Sequence, residues 1–516
     1  MFHIFQYIVL ALTLLPFSFS QPPRAVLIDC GATTTSVING REWVPDGGFI
    51  STGVSRNITQ PTDVVNKTLS TVRLFPLLQN NNRRRKFCYV VPVYRSAKYL
   101  VRSTYYYGGV NDGAAFPPVF DQIVDGTLWS VVNTTEDYVK GDASYYEGVF
   151  LAAGKSMSFC LASNTYTESE PFISALEFVM LADSLYNSTD FGNSSLRLVA
   201  RHSFGYNGSL IRYPDDQFDR YWEPYGENNP TTSRGENVSI NGFWNLPPLK
   251  VFQTQLMINQ LRPLELQWPL EPLPNSIYYI ALYFAEETGT SRSFSISINN
   301  VTYYSDLKVP QSGVALFANH WQLSGLTKII LTPTNGSTSG PLINGGEIFE
   351  VLQVAGRTHT RDAIGLTRLK ESFQNPPFDW NGDPCLPKEN SWTGITCSGG
   401  SNIRVTGLNL TSMGLLGSLS PNIANLTALS DLWLGNNNLS GPIPDLGTLR
   451  MLKTIHLEDN EFNGPIPSSL GNLDRLQELF LQNNNLTGQI PSSLTGKPGL
   501  NLRVSPGNSL LVPPNP

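Results

Sequence analysis

The C-terminal part of the chain repeats itself, and this repetition restricts the possible folds more than any other feature. Four segments follow the pattern L-x-x-L-x-L, with Val or Ile in place of Leu at single positions. Their central aliphatic residues are Leu408, Leu432, Ile455 and Leu479, at intervals of 24, 23 and 24 residues. A fixed period of this length indicates an array of stacked supersecondary units.

One such unit cannot bury its apolar face alone, so we predict that residues 401–500 form four stacked repeats. The alternating aliphatic residues of each strand face a common core, and an Asn that follows three of the strands can satisfy backbone groups where the chain turns. The same turn follows those strands, with Ile-Pro at Ile443, Ile466 and Ile490.

The strand pattern also predicts a column of side chains on the concave surface of the array. The residue between the last two aliphatic positions points away from the core, and these residues are Asn409, Trp433, His456 and Phe480. Neighbouring strands lie about 5 Å apart, so the three rings are adjacent. Exposed rings are typical anchors for a protein partner, which makes Trp433, His456 and Phe480 candidate binding residues. The alternative is that they merely cover the edge of a short array.

The larger N-terminal part, residues 24–356, lacks helical periodicity. Short runs such as Tyr99–Tyr105, Tyr278–Phe284 and Phe294–Ile298 are divided by Gly, Asn and Pro, which is typical of β-sandwiches and barrels. A polar stretch at 185–195 divides this part, so we predict lobes at 24–184 and 194–356, a linker at 357–378 and a Pro-rich tail at 501–516. The predicted fold class is mainly β, with two sandwich lobes followed by a short α/β solenoid.

The N-terminus predicts secretion. An apolar run from Ile8 to Leu15, followed by Ser18 and Ser20, indicates a signal peptide at 1–20. No later segment has the 18 or so apolar residues of a membrane span, so we expect a soluble extracellular protein. A net charge of -6 gives no general attraction to nucleic acid or membranes. Thirteen N-x-S/T sequons agree with this route: Asn57, Asn66, Asn133, Asn187, Asn193, Asn207, Asn237, Asn300, Asn335, Asn409, Asn425, Asn438 and Asn485.

The five cysteines favour disulfides in such a compartment, and the odd number leaves one unpaired. Cys385 and Cys397 are close in sequence and isolated from the others, so we expect them to be bonded. Among the remaining three, we favour a bond between Cys88 and Cys160 with Cys30 buried. The other pairings of these three stay open.

The usual motifs of catalysis are missing from the sequence. No HExxH, CxxC pair, P-loop or GxSxG is present, so we expect no enzyme activity, no metal and no cofactor. A glycosidase needs only two carboxylates at a set separation, and the chain has 41 Asp and Glu residues, so a carbohydrate hydrolase stays open. The basic run Arg83–Lys86 is interpreted as a solvated loop.

Several motifs resemble plant proteins. The L-x-G-x-I-P turns are similar to those of plant-type leucine-rich repeats, and residues 379–400 resemble the Cys-paired N-terminal cap of such arrays. Motifs in both lobes resemble malectin-like domains: Ile28–Gly31, Tyr107–Gly113, Asp219–Trp222 and Leu282–Glu286. The whole order is similar to the ectodomain of plant malectin-like receptor-like kinases and receptor-like proteins, without their transmembrane helix and kinase.

The resemblance implies ligand recognition. The animal namesake of the family binds a glucose disaccharide, and aromatic rings commonly stack on sugar rings while carboxylates and amides bond the hydroxyls. Tyr105, Tyr106 and Tyr107 with Asn111 and Asp112 are therefore candidate carbohydrate-binding residues. Strand alternation sends one or two of these rings into the core.

We therefore expect a secreted recognition protein that acts as a co-receptor or decoy at the cell wall. The malectin-like lobes would bind cell-wall carbohydrate or a secreted peptide, and the repeats a protein partner such as a membrane receptor. The alternatives are a carbohydrate-modifying hydrolase and a purely architectural wall glycoprotein.

Overall fold

The computed structural model describes residues 24–58, 69–77, 86–111, 116–226, 231–233, 243–286, 292–310, 312–400 and 402–513. The expected signal peptide at 1–20, the candidate residue Asp112, and the sequons at Asn66 and Asn237 lie outside these residues. Eleven sequons remain within them, and ten of their asparagines are exposed, while Asn425 is half-buried.

The first lobe is built almost entirely of strands, with one short α-helix among its described residues. Its elements are β1 (Ala25–Asp29), β2 (Ser36–Ile38), β3 (Arg41–Pro45), β4 (Val54–Asn57), β5 (Thr71–Leu74), β6 (Lys86–Pro92), β7 (Lys98–Tyr105), β8 (Phe120–Val124), β9 (Thr127–Val132), α1 (Thr135–Lys140), β10 (Ser144–Leu151), β11 (Ser156–Ser163), β12 (Phe172–Ile173) and β13 (Ala175–Met180).

The second lobe repeats this organisation. Its strands are β14 (Ser194–Phe204), β15 (Glu223–Tyr225), β16 (Thr231–Ser233), β17 (Thr254–Met257), β18 (Leu264–Gln267), β19 (Leu273–Phe284), β20 (Ser293–Ile298), β21 (Val301–Lys308), β22 (Val314–Gly325), β23 (Lys328–Pro333), β24 (Leu342–Ile343) and β25 (Gly345–Gln353).

One sheet runs through both lobes. Its strand order is β2-β3-β1-β13-β7-β10-β14-β25-β19-β22, with β15 beside β14. The sheet β6-β11-β8-β9 belongs to the first lobe and the sheet β18-β23-β20-β21 to the second. In the first lobe, buried Val101 and Phe178 of the long sheet share a core with Tyr89 and Phe159 of the four-stranded sheet. The lobes are therefore joined sandwiches, and the polar stretch at 185–195 connects two strands of one sheet.

The repeats add a linker helix and two sheets in which the strands of successive repeats run parallel. Their elements are α2 (Thr360–Ser372), β26 (Ile395–Cys397), β27 (Val405–Asn409), β28 (Leu416–Ser418), β29 (Asp431–Trp433), β30 (Asn438–Pro442), β31 (Thr454–His456), β32 (Glu461–Pro465), β33 (Glu478–Phe480), β34 (Asn485–Gln489), α3 (Ser492–Thr495), β35 (Asn501–Arg503) and β36 (Leu510–Val512). The concave sheet is β26-β27-β29-β31-β33-β35, and the other is β28-β30-β32-β34-β36.

Two details differ from the sequence-based expectation. The expected tail at 501–516 contains a fifth rung, because β35 pairs with β33 and β36 with β34. Leu502, Val504 and Leu511 pack against the end of the core and cover it. The connections between rungs are short strands and 3₁₀ turns, such as Pro421–Asn425, and the α-helix α3 has only four residues.

Buried asparagines hold the turns of the repeats together. Asn460 donates through Nδ2 to the carbonyls of Leu434 at 3.0 Å and Leu457 at 3.3 Å, and its Oδ1 accepts from the backbone N–H of Leu439 at 3.0 Å. Asn437, Asn484 and Asn508 make equivalent bonds in their rungs. A neutral side chain thus satisfies backbone groups that the turn removes from water.

Both expected disulfides, Cys88–Cys160 and Cys385–Cys397, are formed, and Cys30 is buried as a free thiol. The repeat cap contacts the first disulfide. A Cβ on Gly382, whose φ is +65°, would lie 2.8 Å from the Cys88 Sγ, so glycine permits this close approach.

Lys86 fixes the cap to the first lobe, and it is not part of a solvated loop as the sequence suggested. The side chain is buried, and its Nζ donates to the carbonyls of Asp383 at 2.7 Å and Leu386 at 2.9 Å. Burial lowers the pKa of Lys86 to about 8. The carbonyl acceptors compensate for water that the ammonium loses.

Candidate functional site

The concave sheet brings the predicted column together. Parallel pairing places Asn409, Trp433, His456, Phe480 and Arg503 at equivalent positions of successive strands. The ring centroids of Trp433 and His456 lie 5.9 Å apart, those of His456 and Phe480 lie 4.3 Å apart, and both pairs are stacked. The Arg503 guanidinium lies 4.3 Å from the Phe480 ring centroid and extends the column by one rung, which the sequence analysis did not include.

Strand alternation orients the column outward. Leu432, Ile455 and Leu479, each preceding a column residue, are fully buried in the repeat core. Trp433, His456 and Phe480 are each half-buried, because the His456 ring lies between the other two and stacks on both.

Hydrogen bonds also fix the orientation of two rings. Trp433 Nε1–H donates to Thr454 Oγ1 at 3.0 Å, and His456 Nε2 lies 3.0 Å from a carboxylate oxygen of Glu478. These contacts restrict the side chains before a partner arrives. The entropy that binding would cost is therefore reduced.

A polar hollow of about 850 Å³ adjoins the N-terminal end of the column. Cap residues Asp379, Glu389 and Trp392 line it together with Asn409 and Thr411. Asn409 is both a sequon asparagine and the first residue of the column, and it is exposed. A glycan on Asn409 would project beside this hollow and leave the Phe480 end of the column open.

The expected carbohydrate platform at Tyr105–Tyr107 needs correction. The three side chains are 0%, 6% and 2% exposed, so none offers a ring face to a ligand. Tyr105 donates to Gln122, and its ring packs edge-on against Phe120 and Phe172.

The other described residue of that platform is also internal. Asn111 is buried, and its amide donates to Ser169 Oγ at 3.0 Å. The aromatic cluster is core because both faces of β7 are covered, which alternation along a single strand does not reveal.

A buried ionic network, which no sequence motif indicated, joins the lobes. Arg102 on β7 contacts Glu147 at 2.6 Å, Glu177 at 3.2 Å and Asp219 at 3.4 Å. Arg201 on β14 contacts Glu147 from the second lobe at 2.6 Å. Single charged residues within apolar strands were the signal that could have revealed it, because such residues are rarely buried without partners.

The network shifts the protonation of its members. Burial would raise the pKa of Asp219, but the guanidiniums of Arg102 and Arg212 outweigh burial and hold that pKa below its usual range. Burial raises the pKa of Glu177, although Arg102 opposes the shift. Both guanidiniums also lie close to the Tyr221 ring, with the Arg102 carbon 3.5 Å and the Arg212 carbon 4.5 Å from the ring centroid.

A cleft of about 450 Å³ opens between the lobes above this network. β10 and β14 pair only at Gly148–Arg197 and Val149–Leu196, and the cleft begins where this pairing stops. Hydroxyls, carboxylates, rings and prolines form its walls, among them Ser130, Asp137, Ser144, Tyr145, Glu223, Glu271, Pro272 and Pro274. Tyr145 donates its hydroxyl hydrogen to Glu223 across the seam.

Within the part of the chain that the structure describes, no three His, Cys, Asp or Glu side chains are placed to hold a metal ion. In the same part, no helix combines the length and apolar character needed to cross a membrane.

Comparison with known proteins identifies the class of both regions. The model of the malectin-like domain matches residues 28–351, the leucine-rich-repeat N-terminal domain matches 359–398, and leucine-rich repeats match 451–473 and 475–496. The first match covers more than half of the chain. The chain therefore belongs to the malectin-like domain family and carries leucine-rich repeats after that domain.

Curated relatives share both regions. A probable LRR receptor-like serine/threonine-protein kinase from Arabidopsis thaliana is 32% identical over 473 residues, which are 86% of this chain and 49% of the relative. A second leucine-rich repeat receptor-like kinase of that plant is 32% identical over 426 residues, 79% of this chain and 47% of the relative. The chain thus spans about half the length of the curated relatives it matches.

Solved structures resemble the malectin-like region in fold. The ANX2 ectodomain from Arabidopsis thaliana is 17% identical with a TM-score of 0.54, over 63% of this chain and 96% of that one. A structure of the plant peptide RALF23 in complex with FER and LLG2 contains a chain that is 19% identical with a TM-score of 0.52, over 64% of this chain and 96% of that one. Identities this low show the shared fold alone.

Proposed function

We propose that the protein is a secreted recognition protein whose concave column binds a protein or peptide partner, and that it acts as a co-receptor or decoy at the cell wall. The observation that carries the proposal is the stacked series Trp433, His456 and Phe480 on one open sheet face. Receptor-like kinases share its two regions, and a structural neighbour of the malectin-like region occurs in a complex with a peptide.

The test of the column uses Trp433→Ala and Phe480→Ala. The purified mature protein first captures partners from cell-wall extract, and the affinities of the variants for a recovered partner are then measured. We expect each variant to bind at least about tenfold more weakly, because truncating an anchor ring commonly costs more than 1 kcal/mol. Tyr166→Ala is the control, since this ring is 73% exposed in the first lobe. Normal binding by both column variants would contradict the proposal.

The cellular part of the proposal has a separate test. Tagged protein should appear in the extracellular fluid and lose mass on treatment with a glycosidase that removes N-linked glycans. The exposed sequon asparagines are consistent with such modification. An intracellular band whose mass does not change would exclude a role at the cell wall.

A second proposal places carbohydrate binding in the inter-lobe cleft in place of Tyr105–Tyr107. The Tyr145 ring and Pro272 offer surfaces for a sugar ring, and Glu223 and Glu271 offer acceptors for hydroxyl groups. A glycan array with wild-type protein and Tyr145→Ala tests this, with Tyr166→Ala as the control. Release of reducing sugars from a bound glycan would favour the alternative hydrolase, and equal signals from all three proteins would exclude the cleft.

A further inference from the structure

The Cys88–Cys160 disulfide lies outside the core of the first lobe, on the outer face of the sheet β6-β11-β8-β9. The two cysteines are opposite each other in the antiparallel pair of β6 and β11. The residues that alternate with them along these strands, such as Tyr89, belong to the core between the sheets. The sulfur atoms therefore point away from that core, and with Ile123 and Ala162 they form a separate apolar cluster.

The repeat cap lies directly on this cluster. A Cβ added at Gly382 would be 2.8 Å from the Cys88 Sγ and 2.9 Å from the Cys160 Sγ. The two cysteines are only 4% and 1% exposed. A solute therefore reaches the sulfur atoms only when the cap leaves the sheet.

Side-chain bonds, and not strand pairing, hold the cap in this place. Lys86 precedes Cys88 by two residues on β6, so both side chains lie on the same face. The Lys86 Nζ donates to the cap carbonyls of Asp383 and Leu386. Among the described residues, no sheet contains strands of both the first lobe and the repeats. The cap can therefore leave the lobe while every sheet stays intact.

Breaking the disulfide would affect the cap more than the sheet. β6 and β11 are joined by seven residue pairs, of which Cys88 and Cys160 form one, so the pairing can persist without the bond. Two sulfur atoms that are not bonded need more room than a disulfide, and the backbone of Gly382 fills the space above them. A reduced pair would therefore hinder the docking of the cap.

We propose that the Cys88–Cys160 disulfide is a redox-sensitive latch that controls the docking of the repeats on the first lobe. A dithiol reductant reaches the bond when the cap lifts, and one of its thiolates attacks a sulfur atom and forms a mixed disulfide. Its second thiolate then displaces the remaining cysteine and closes the reductant's own disulfide. The two electrons and two protons of the dithiol end on Cys88 and Cys160 as thiols. The thiols keep the cap from docking and so change the position of the concave column relative to the malectin-like region.

The first experiment measures how fast dithiothreitol reduces this disulfide in the purified, folded mature protein. Alkylation and peptide mass spectrometry quantify the thiols of both disulfides over time. The rate of reduction follows the population of the state in which the cap is lifted. We expect Lys86→Met to accelerate reduction of Cys88–Cys160 at least about tenfold, because the cap loses two hydrogen bonds from a charged donor.

Lys98→Met is the matched control. Lys98 is also a buried lysine of the first lobe, and its Nζ donates to two backbone carbonyls outside the cap. Its loss leaves the contacts of the cap unchanged, so reduction should be about as fast as in wild type. Equal acceleration by both variants would show that the bond is reached through unfolding of the lobe and would overturn the latch. Equal rates in Lys86→Met and wild type would also overturn it.

The second experiment tests the effect of the unbonded side chains on the cap, with the cap's own disulfide intact. The double variant Cys88→Val and Cys160→Val places two unbonded side chains under Gly382, whereas Cys88→Ala and Cys160→Ala leaves space there. Small-angle X-ray scattering should give a larger radius of gyration for the valine variant, because the repeats no longer contact the lobe, and the wild-type value for the alanine variant. Thermal unfolding shows that both variants are folded. The wild-type value for the valine variant, or a larger value for the alanine variant, would contradict the latch.

Discussion

The repeats and the malectin-like region bring residues together over very different sequence distances. Each concave strand pairs with the strand of the adjacent repeat, as Leu432 does with Ile455. In the malectin-like region, Arg197 pairs with Glu350, and Ala25 with Val179. A fixed period therefore determines which face a repeat residue occupies, whereas the environment of a malectin-like residue depends on distant segments of the chain.

The two regions also bury different polar groups. In the repeats, neutral asparagines such as Asn460 satisfy backbone groups one rung at a time. In the malectin-like region, Arg102, Arg201 and their carboxylates form one charged network that both lobes complete. Loss of a repeat contact leaves a local defect, but loss of one network charge leaves buried partners uncompensated in both lobes.

The largest expected effect therefore comes from Arg102→Met. The substitution keeps most of the side-chain volume and removes the cation that Glu147, Glu177 and Asp219 share. We expect the free energy of unfolding of the malectin-like region to fall by about 3–5 kcal/mol, the typical cost of breaking a buried pair from one side. Denaturant titration of the mature protein measures this.

The matched control for Arg102→Met is Arg503→Met in the repeats. Arg503 is exposed, and its contact with Phe480 leaves no buried charge behind, so its loss should cost less than about 1 kcal/mol. Equal stability of Arg102→Met and wild type would show that the network does not hold the lobes together.

This contrast also explains what the sequence could predict. The repeat period places Trp433, His456 and Phe480 in one column without any knowledge of the rest of the chain. Tyr105 and Tyr107 were assigned to a surface because their burial depends on Phe120, Phe172 and other distant residues. The buried network of Arg102 was missed because Glu147, Glu177 and Asp219 come from distant segments of the chain.

A buried histidine should make the stability of the malectin-like region depend on pH. Burial lowers the pKa of His202 to about 4, and Trp268 Nε1–H donates to its Nδ1 at 3.0 Å. Between pH 6.5 and 4 the unfolded chain binds a proton that the folded chain does not, so stability falls as the pH falls. From pH 7 to 5 this loss should be about 2 kcal/mol.

The variant His202→Asn isolates this contribution. Its Oδ1 can accept from Trp268 as Nδ1 does, but the amide does not titrate. Other groups also contribute, since burial raises the pKa of Asp29 to about 6 and of nearby Glu223 above its usual range. The difference in pH dependence between wild type and His202→Asn is therefore the relevant quantity. If wild type and His202→Asn lose the same free energy of unfolding between pH 7 and pH 5, His202 is not a buried neutral histidine.

A substitution in the column should have the smallest effect on stability. Two neighbouring residues of one strand allow a direct comparison of the column with the core. Leu479 is fully buried and Phe480 points outward from the same strand. We expect Leu479→Ala to cost about 2–5 kcal/mol through the cavity it leaves. Phe480→Ala should cost less than about 1 kcal/mol, because its removal exposes one neighbouring ring and creates no cavity.

Partner affinity should respond in the opposite way to stability. The variant on the concave surface should lose affinity, and the variant in the core should keep it. Phe480→Ala removes an anchor, so it should weaken partner binding at least about tenfold while the protein is secreted and unfolds almost as wild type does. Leu479→Ala should reduce secretion through lower stability, and the protein that does fold should bind through an intact column. If Phe480→Ala is destabilised as strongly as Leu479→Ala, the ring belongs to the core and the outward register of β33 is wrong.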